Sequence, residues 1–397
     1  MNRTPIENVL LVGVVLGRES EAVVEDNLRE LALLAASAGA RVASTVIQKR
    51  PRPDAATFIG KGKAGELALA VKELNVSTVI FDDDLTPSQV KNLENVLDAL
   101  VMDRAWLILS LFALRARTEE AKVQVSLAQY QYLLPRLTRR WTHLSRQEAA
   151  IGTRGVGETQ LELDRRQARA RIRRLETDLA RIETARATTR QSHDVLPRAA
   201  ITGYTNAGKS TLFNALTGSS VFEGDQLFAT LETRIARISR STALPILISD
   251  TVGFIRKLPH DLIAAFRSTL EEAHTADVVL HVVDRSHPRY EEQEQVGLQV
   301  LDDLGVERAR VLTVYNKSDA VPGLEEAPFP HVSARTGAGL DALVAAVEDR
   351  LLPAFRKVQR LIPYTESRRV DAFKKSPMTV SIRQEAGGLK VEYWVRV

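Results

Sequence analysis

Short apolar runs separated by longer amphipathic stretches fill most of this chain, a pattern that predicts strands alternating with helices. Residues 9–16 form the first run, followed by a helical rhythm over about 21–38 and further strands at 41–47 and 77–81. Beyond residue 115 the pattern turns helical. Val123, Leu127, Tyr130 and Leu134 recur at helical spacing, and Ala168, Ile172, Leu175, Leu179 and Ile182 repeat the rhythm. Each set lines one side of a helix, so the two stripes predict a long antiparallel helix pair packed face to face. Three more apolar runs, at 199–202, 245–248 and 311–315, each end in a polar loop. Alternation returns at 378–382 and 389–395 on either side of Gly387-Gly388, which predicts a terminal hairpin.

These patterns give an α/β fold class and five segments. Residues 1–115 read as an α/β subdomain, 116–187 as a helical hairpin with a basic loop, 188–197 as a polar linker, 198–353 as a nucleotide domain and 354–397 as a small α+β appendage.

The chemistry lies in the loops that close the three central runs. Gly203-Tyr204-Thr205-Asn206-Ala207-Gly208-Lys209-Ser210-Thr211 follows a strand and opens a helix-forming stretch. That is a phosphate-binding loop: glycines turn backbone N–H groups toward a polyphosphate, Lys209 reaches the β- and γ-phosphates, and Ser210 can ligate Mg²⁺. Asp250-Thr251-Val252-Gly253 closes the second run. Its carboxylate can hold Mg²⁺ through water, and the Gly253 amide can meet the γ-phosphate. Asn316-Lys317-Ser318-Asp319 closes the third run. Asp319 can accept two hydrogen bonds from guanine, a pair adenine does not offer, which selects GTP over ATP. Asn316 either donates to the base N7 or ties this loop to the phosphate loop, and the stem of Lys317 covers one face of the base. Ser333-Ala334-Arg335 follows where a last strand brings the Ala334 amide to the guanine O6. In Phe228-Ala229-Thr230, before Asp250, Thr230 is the chosen second protein ligand of Mg²⁺, with Thr233 as the alternative. Lys209, Gly253 and Thr230 are the candidate catalytic residues.

With these motifs the chain resembles the HflX-type translational GTPases, within the Obg–HflX group of P-loop, Ras-like domains. The likeness also rests on Asp225-Gln226-Leu227-Phe228, Asp250-Thr251-Val252-Gly253-Phe254-Ile255, Ile59-Gly60-Lys61-Gly62-Lys63 and Arg154-Gly155-Val156-Gly157-Glu158-Thr159. It departs from the family pattern at Glu148-Ala149-Ala150, where a glycine-rich lead-in is usual, and at Val156, where proline is usual. The resemblance implies binding of the large ribosomal subunit, splitting of stalled or idle ribosomes under stress, and release driven by GTP hydrolysis. Phe254 stands where Ras-like enzymes keep a water-orienting glutamine, so hydrolysis without a partner should be slow. For Asn206 two readings stand: a loop cap, or a ligand for K⁺ beside the phosphates as in GTPases with a similar loop. Two other functions stay open, a GTPase switch in ribosome assembly and an RNA-binding module with a structural nucleotide domain.

Composition narrows the setting. Among 397 residues there is no cysteine, which excludes disulfides and thiolate metal sites. The N-terminal apolar run is short and meets charge at Arg18-Glu19, unlike a signal peptide, and no run has transmembrane length. The expected setting is a monomer in the cytoplasm, with partial peripheral membrane association allowed. Net charge is only +4, yet arginine concentrates between about residues 136 and 190, which points to a polyanion; the expected partner is RNA, with no DNA. In the loop between the two helices, Arg136, Arg139, Arg140, Trp141, Arg146 and Arg154 combine cations with an aromatic, suited to phosphate contacts and base stacking on ribosomal RNA. Arg169, Arg171, Arg173 and Arg174 on the second helix read as a solvated face.

Overall fold

A computed structural model describes residues 7–17, 19–137, 160–190, 196–219, 233–240, 242–257, 272–324 and 327–397. These fall into two compact units. One holds the residues up to Ile182 together with Arg256 and Lys257; the other holds the remaining residues from Glu183 to Val397.

The first unit is built on a parallel sheet of β1 (Asn8–Leu16), β2 (Arg41–Arg50), β3 (Thr78–Phe81) and β4 (Leu100–Asp103) in the order β2-β1-β3-β4. β1 is buried on both faces, which is why it reads as a continuous apolar run. Helix α1 (Glu21–Ser37) starts at Ser20, whose hydroxyl accepts the Val23 amide. The segment Gly60-Lys61-Gly62-Lys63 caps and opens α2 (Lys61–Glu73), and α3 (Pro87–Leu97) begins with a Thr86/Gln89 capping box. Leu10, Val12, Val79, Phe81 and Leu93 pack together as the core.

Helices α4 (Arg104–Arg115), α5 (Glu119–Leu133) and α6 (Gln160–Arg190) follow. On α6 the expected stripe is partly buried: Ala168 and Leu175 are buried and Ile172, Leu179 and Ile182 half-buried, while Arg169, Arg173 and Arg174 are exposed and Arg171, expected on the solvated face, is half-buried. On α5 the stripe is out of phase. Ala121, Gln124, Val125, Leu127 and Ala128 are buried, while Val123 and Tyr130 are only half-buried. The reason is that α5 packs on α4, which draws small residues and the Gln124 amide to the inner face.

At the carboxyl ends of β3 and β4 lies a buried charge network. Arg104 is almost fully buried; its guanidinium donates to Asp82 at 2.7 Å, pairs with Glu30, and gives its Nε–H to the Arg256 carbonyl at 3.1 Å. Lys257 donates to Asp82 and Asp83, each at 2.6 Å, and Arg256 to Asp26 at 2.7 Å.

The second unit carries a five-stranded sheet of β5 (Arg198–Gly203), β6 (Arg234–Arg237), β7 (Leu247–Asp250), β8 (Val278–Asp284) and β9 (Val311–Asn316), ordered β6-β7-β5-β8-β9. All pairs are parallel except β6 against β7. Helices α7 (Lys209–Thr217), α8 (Tyr290–Asp303) and α9 (Leu340–Leu351) belong to this unit. The carboxyl ends of β5, β7 and β9 deliver the three predicted loops to one edge of the sheet, the usual ligand side of such folds. The last strand expected near His331 is absent among the described residues; His331 forms only an isolated bridge with Tyr315.

The C-terminal appendage is a three-stranded antiparallel sheet of β10 (Phe355–Ile362), β11 (Thr379–Glu385) and β12 (Gly388–Arg396), ordered β10-β12-β11, with the short helix α10 (Val370–Lys375). The predicted hairpin is β11–β12. The edge strand β10 escapes pattern reading because its polar residues break the apolar alternation. Phe355, Met378 and Trp394 pack into the core of the second unit, and the Trp394 indole donates to the Ala243 carbonyl at 3.0 Å.

Arg104→Ala leaves Asp82 as a buried carboxylate with half its pairing. The loss should be about 3–5 kcal/mol of stability, the usual cost of breaking a buried pair; urea unfolding of wild type and variant measures it.

Candidate GTP-binding site

The phosphate loop is shaped by backbone that only glycine tolerates in two places. Gly203 has φ 139°, and a side chain there would run into the Val282 carbonyl; Gly208 has φ 86°, and a side chain would strike the Asn316 amide. Lys209, first residue of α7, is buried and donates from Nζ to the Tyr204 carbonyl at 2.7 Å. Burial pushes its amine down to about 8, against the opposing pull of Asp250. Ser210 donates to Asp250 Oδ2 at 2.8 Å, so the two expected Mg²⁺-site side chains do meet. The Asp250 to Gly253 loop is fastened to the phosphate loop: the Phe254 amide donates to Gly203 O at 2.9 Å and the Thr205 amide to Phe254 O at 2.7 Å. The Phe254 ring is buried, which fits its lack of a water-orienting role.

At the base end, Asn316 donates from Nδ2 to Ala207 O at 2.9 Å and accepts the Ala334 amide on Oδ1 at 3.0 Å. Of its two expected roles, the tie to the phosphate loop is the one present. The Ala334 amide, expected at the guanine O6, donates to the Asn316 oxygen and so ties the last loop to this one, as a buried Asn oxygen needs a donor. Lys317 adopts φ 62° and donates to Asp284 at 2.7 Å. Asp319 accepts the Ser333 hydroxyl at 2.6 Å and pairs with Arg335. The Ser333 hydrogen bond, with Arg335 adding, holds the Asp319 carboxyl below its ordinary value, so it stays charged for a donor pair. Asp284 was not foreseen; its signal was a strand-ending carboxylate after the apolar run 278–283.

Ser318 is buried beneath this loop, and Thr251 donates to the Ile201 carbonyl at 2.8 Å. Phe228, Ala229 and Thr230 lie outside the described residues, as do Arg139, Arg140, Trp141, Arg146 and Arg154. Thr233 is described, just before β6. Arg136 departs from the expectation of an RNA contact. Its guanidinium stacks over Tyr132 at 3.7 Å, donates to Leu85 O at 2.9 Å and to Tyr132 O at 3.1 Å, and lies 3.5 Å from Asp103. These partners engage its two terminal nitrogens within the first unit.

Three family patterns match the chain in order: "GTP-binding GTPase N-terminal" over residues 25–113, "GTP-binding GTPase Middle Region" over 115–193 and "50S ribosome-binding GTPase" over 198–317. A protein named GTPase HflX from Lacrimispora saccharolytica is 42% identical, with 98% of this chain and 93% of the relative covered. The chain belongs to the HflX family of GTPases. The HflX of Escherichia coli is 43% identical over 87% of this chain and 83% of its own. A solved complex of SsGBP with GDP is 26% identical, covering 88% of this chain and 98% of the other, with a TM-score of 0.48. Among the described residues no helix is long and apolar enough to cross a membrane. As an HflX GTPase, the chain takes GTP as its substrate and hydrolyses it.

The buried Lys209 charge has a cost in the folded protein. An amine titrating at about 8 rather than 10.5 destabilises the fold fully below pH 8, and the penalty fades as pH rises toward 10.5. Lys209→Met should therefore raise stability in the absence of nucleotide by about 2–3 kcal/mol at pH 7 and by about 1 kcal/mol at pH 9.5. Urea unfolding at the two pH values measures this, and added GTP should stabilise wild type alone.

Proposed function

We propose that this GTPase binds the large ribosomal subunit and its RNA, and splits stalled or idle ribosomes into subunits under stress, with GTP hydrolysis driving release. The reading is supported by one observation above others: the loops of residues 203–211, 250–253 and 316–319 gather at one edge of a sheet matched over residues 198–317 by a family described as ribosome-binding, and residues 333–335 join them through the Ala334–Asn316 hydrogen bond. The five-segment division of the chain and the cytoplasmic setting belong to the same proposal.

In this proposal, Gly203 to Thr211 cradle the phosphates, Asn316 to Asp319 and Ser333 to Arg335 form the guanine pocket, and the Gly253 amide meets the γ-phosphate. Lys209 neutralises charge on the phosphates as water attacks in line. The Ser210 hydroxyl and Asp250 carboxylate, 2.8 Å apart, are hard oxygen donors that fit Mg²⁺, with Thr230 completing the protein ligands. When bound, Mg²⁺ supplies charge neutralisation at the β- and γ-oxygens. Asn206 is exposed with φ 61°, and its amide oxygen is the group that would serve K⁺. Arg139, Arg140, Trp141, Arg146 and Arg154 are the proposed RNA contacts.

GTP turnover measured in K⁺ and Mg²⁺ buffer, with ATP as control, should be slow for the protein alone and rise at least about tenfold with purified large subunits. Equal turnover with and without subunits would remove the ribosome as activator. Replacing K⁺ by Na⁺ at equal ionic strength should lower the rate; an unchanged rate would leave Asn206 as a loop cap.

A further inference from the structure

In the middle of the phosphate loop, Thr205 is only 7% exposed, and its hydroxyl has no hydrogen-bond partner among the described residues. Buried hydroxyls are nearly always bonded, so an orphan beside a ligand loop points to a group supplied by the ligand or by a water. Its surroundings say which. The Thr205 amide donates to Phe254 O, which sets residue 205 directly beside residue 254. The Phe254 ring is 1% exposed and turned into the core, so that position offers no polar side chain. A Cβ placed on Gly253 would lie 2.7 Å from Lys209 Nζ and 2.9 Å from both Thr205 Cα and Cγ2. Lys209, the Gly253 backbone and the Thr205 side chain thus enclose one small volume. Rotation about χ1 moves the hydroxyl to where the methyl now sits.

We propose that Thr205 is a catalytic residue of GTP hydrolysis, its hydroxyl accepting a hydrogen bond from the attacking water and donating to a γ-phosphate oxygen. This rests on the reading of residues 203–211 and 250–253 as the γ-phosphate site. The hydroxyl does the orienting work that Phe254 cannot. A threonine hydroxyl is too weak a base to remove the proton outright, so its contribution is alignment. The water oxygen bonds to the γ-phosphorus, and the bond to the β–γ bridging oxygen breaks with its electron pair going to GDP. The proton lost by water ends on the released phosphate, and Thr205 finishes unchanged.

The test compares full-length wild type, Thr205→Val and Thr205→Ser in single-turnover GTP hydrolysis, with affinities for GDP and for GMPPNP, and with trapping of GDP by aluminium fluoride. Valine keeps the shape and removes the hydroxyl. It should slow hydrolysis about 10- to 100-fold and abolish aluminium fluoride trapping, while both affinities stay within about threefold. Serine should recover most of the rate. Wild-type rates in Thr205→Val would overturn the inference, as would GDP affinity falling in step with the rate, because the hydroxyl would then serve binding or structure. A wild-type chain without GTP turnover would instead overturn the reading of the site on which the inference rests.

Discussion

One side chain holds the nucleotide site together. Asn316 is 2% exposed, and its amide spans the Ala207 carbonyl on the phosphate loop and the Ala334 amide on the last loop. Three segments far apart in sequence are therefore fixed by two hydrogen bonds from one residue. Removing it would orphan a buried carbonyl and a buried N–H, each costing about 1–3 kcal/mol. The constraint reaches further, because Gly208 sits against this same amide. A glycine is required there both by its positive φ and by the Asn316 nitrogen that occupies the space of a Cβ. The phosphate-loop glycine and the base-loop asparagine are steric complements, and neither position is free to change alone.

Much of this arrangement was legible in the sequence because each loop ends an apolar run. Gly203, Asp250 and Asn316 close strands β5, β7 and β9, so spacing and order were enough to place them at one sheet edge. What spacing could not decide was which of several partners a polar group takes. Asn316 had two plausible roles, and the choice depends on Ala207 and Ala334 lying on either side of it. Arg136 looked like part of a basic loop, yet it ends within reach of Tyr132, Leu85 and Asp103, contacts set by how the turn at Leu134–Arg136 after α5 folds back on the first unit. The phase of α5 was missed for a related reason: the inner face holds Ala121, Ala128 and the amide of Gln124, residues that an apolar count passes over. The strand β10 was invisible because an edge strand with four exposed polar or charged positions, and Leu361 exposed beside them, carries no alternation to read.

The two ends of the site are built on opposite electrostatic terms. At the phosphate end the groups are held at a cost. Lys209 keeps a desolvated amine, and Thr205 a hydroxyl without a partner, both packed against Gly253. Such groups lower the stability of the fold and return that free energy to whatever satisfies them. The base end is already satisfied. Asp319 accepts from Ser333 and pairs with Arg335, and its carboxyl is held in the charged form.

That difference bears on selectivity. Under the proposed reading of Asp319 as the guanine contact, an entering base has to compete with the Arg335 guanidinium, which is largely exposed and can move away. Guanine can replace the lost charge-assisted hydrogen bonds with its own N1–H and amine. Adenine has no such donor pair at that edge, so its entry would separate Asp319 from Arg335 and give nothing back. Discrimination at this site therefore comes less from what guanine gains than from what any other base must leave unpaired.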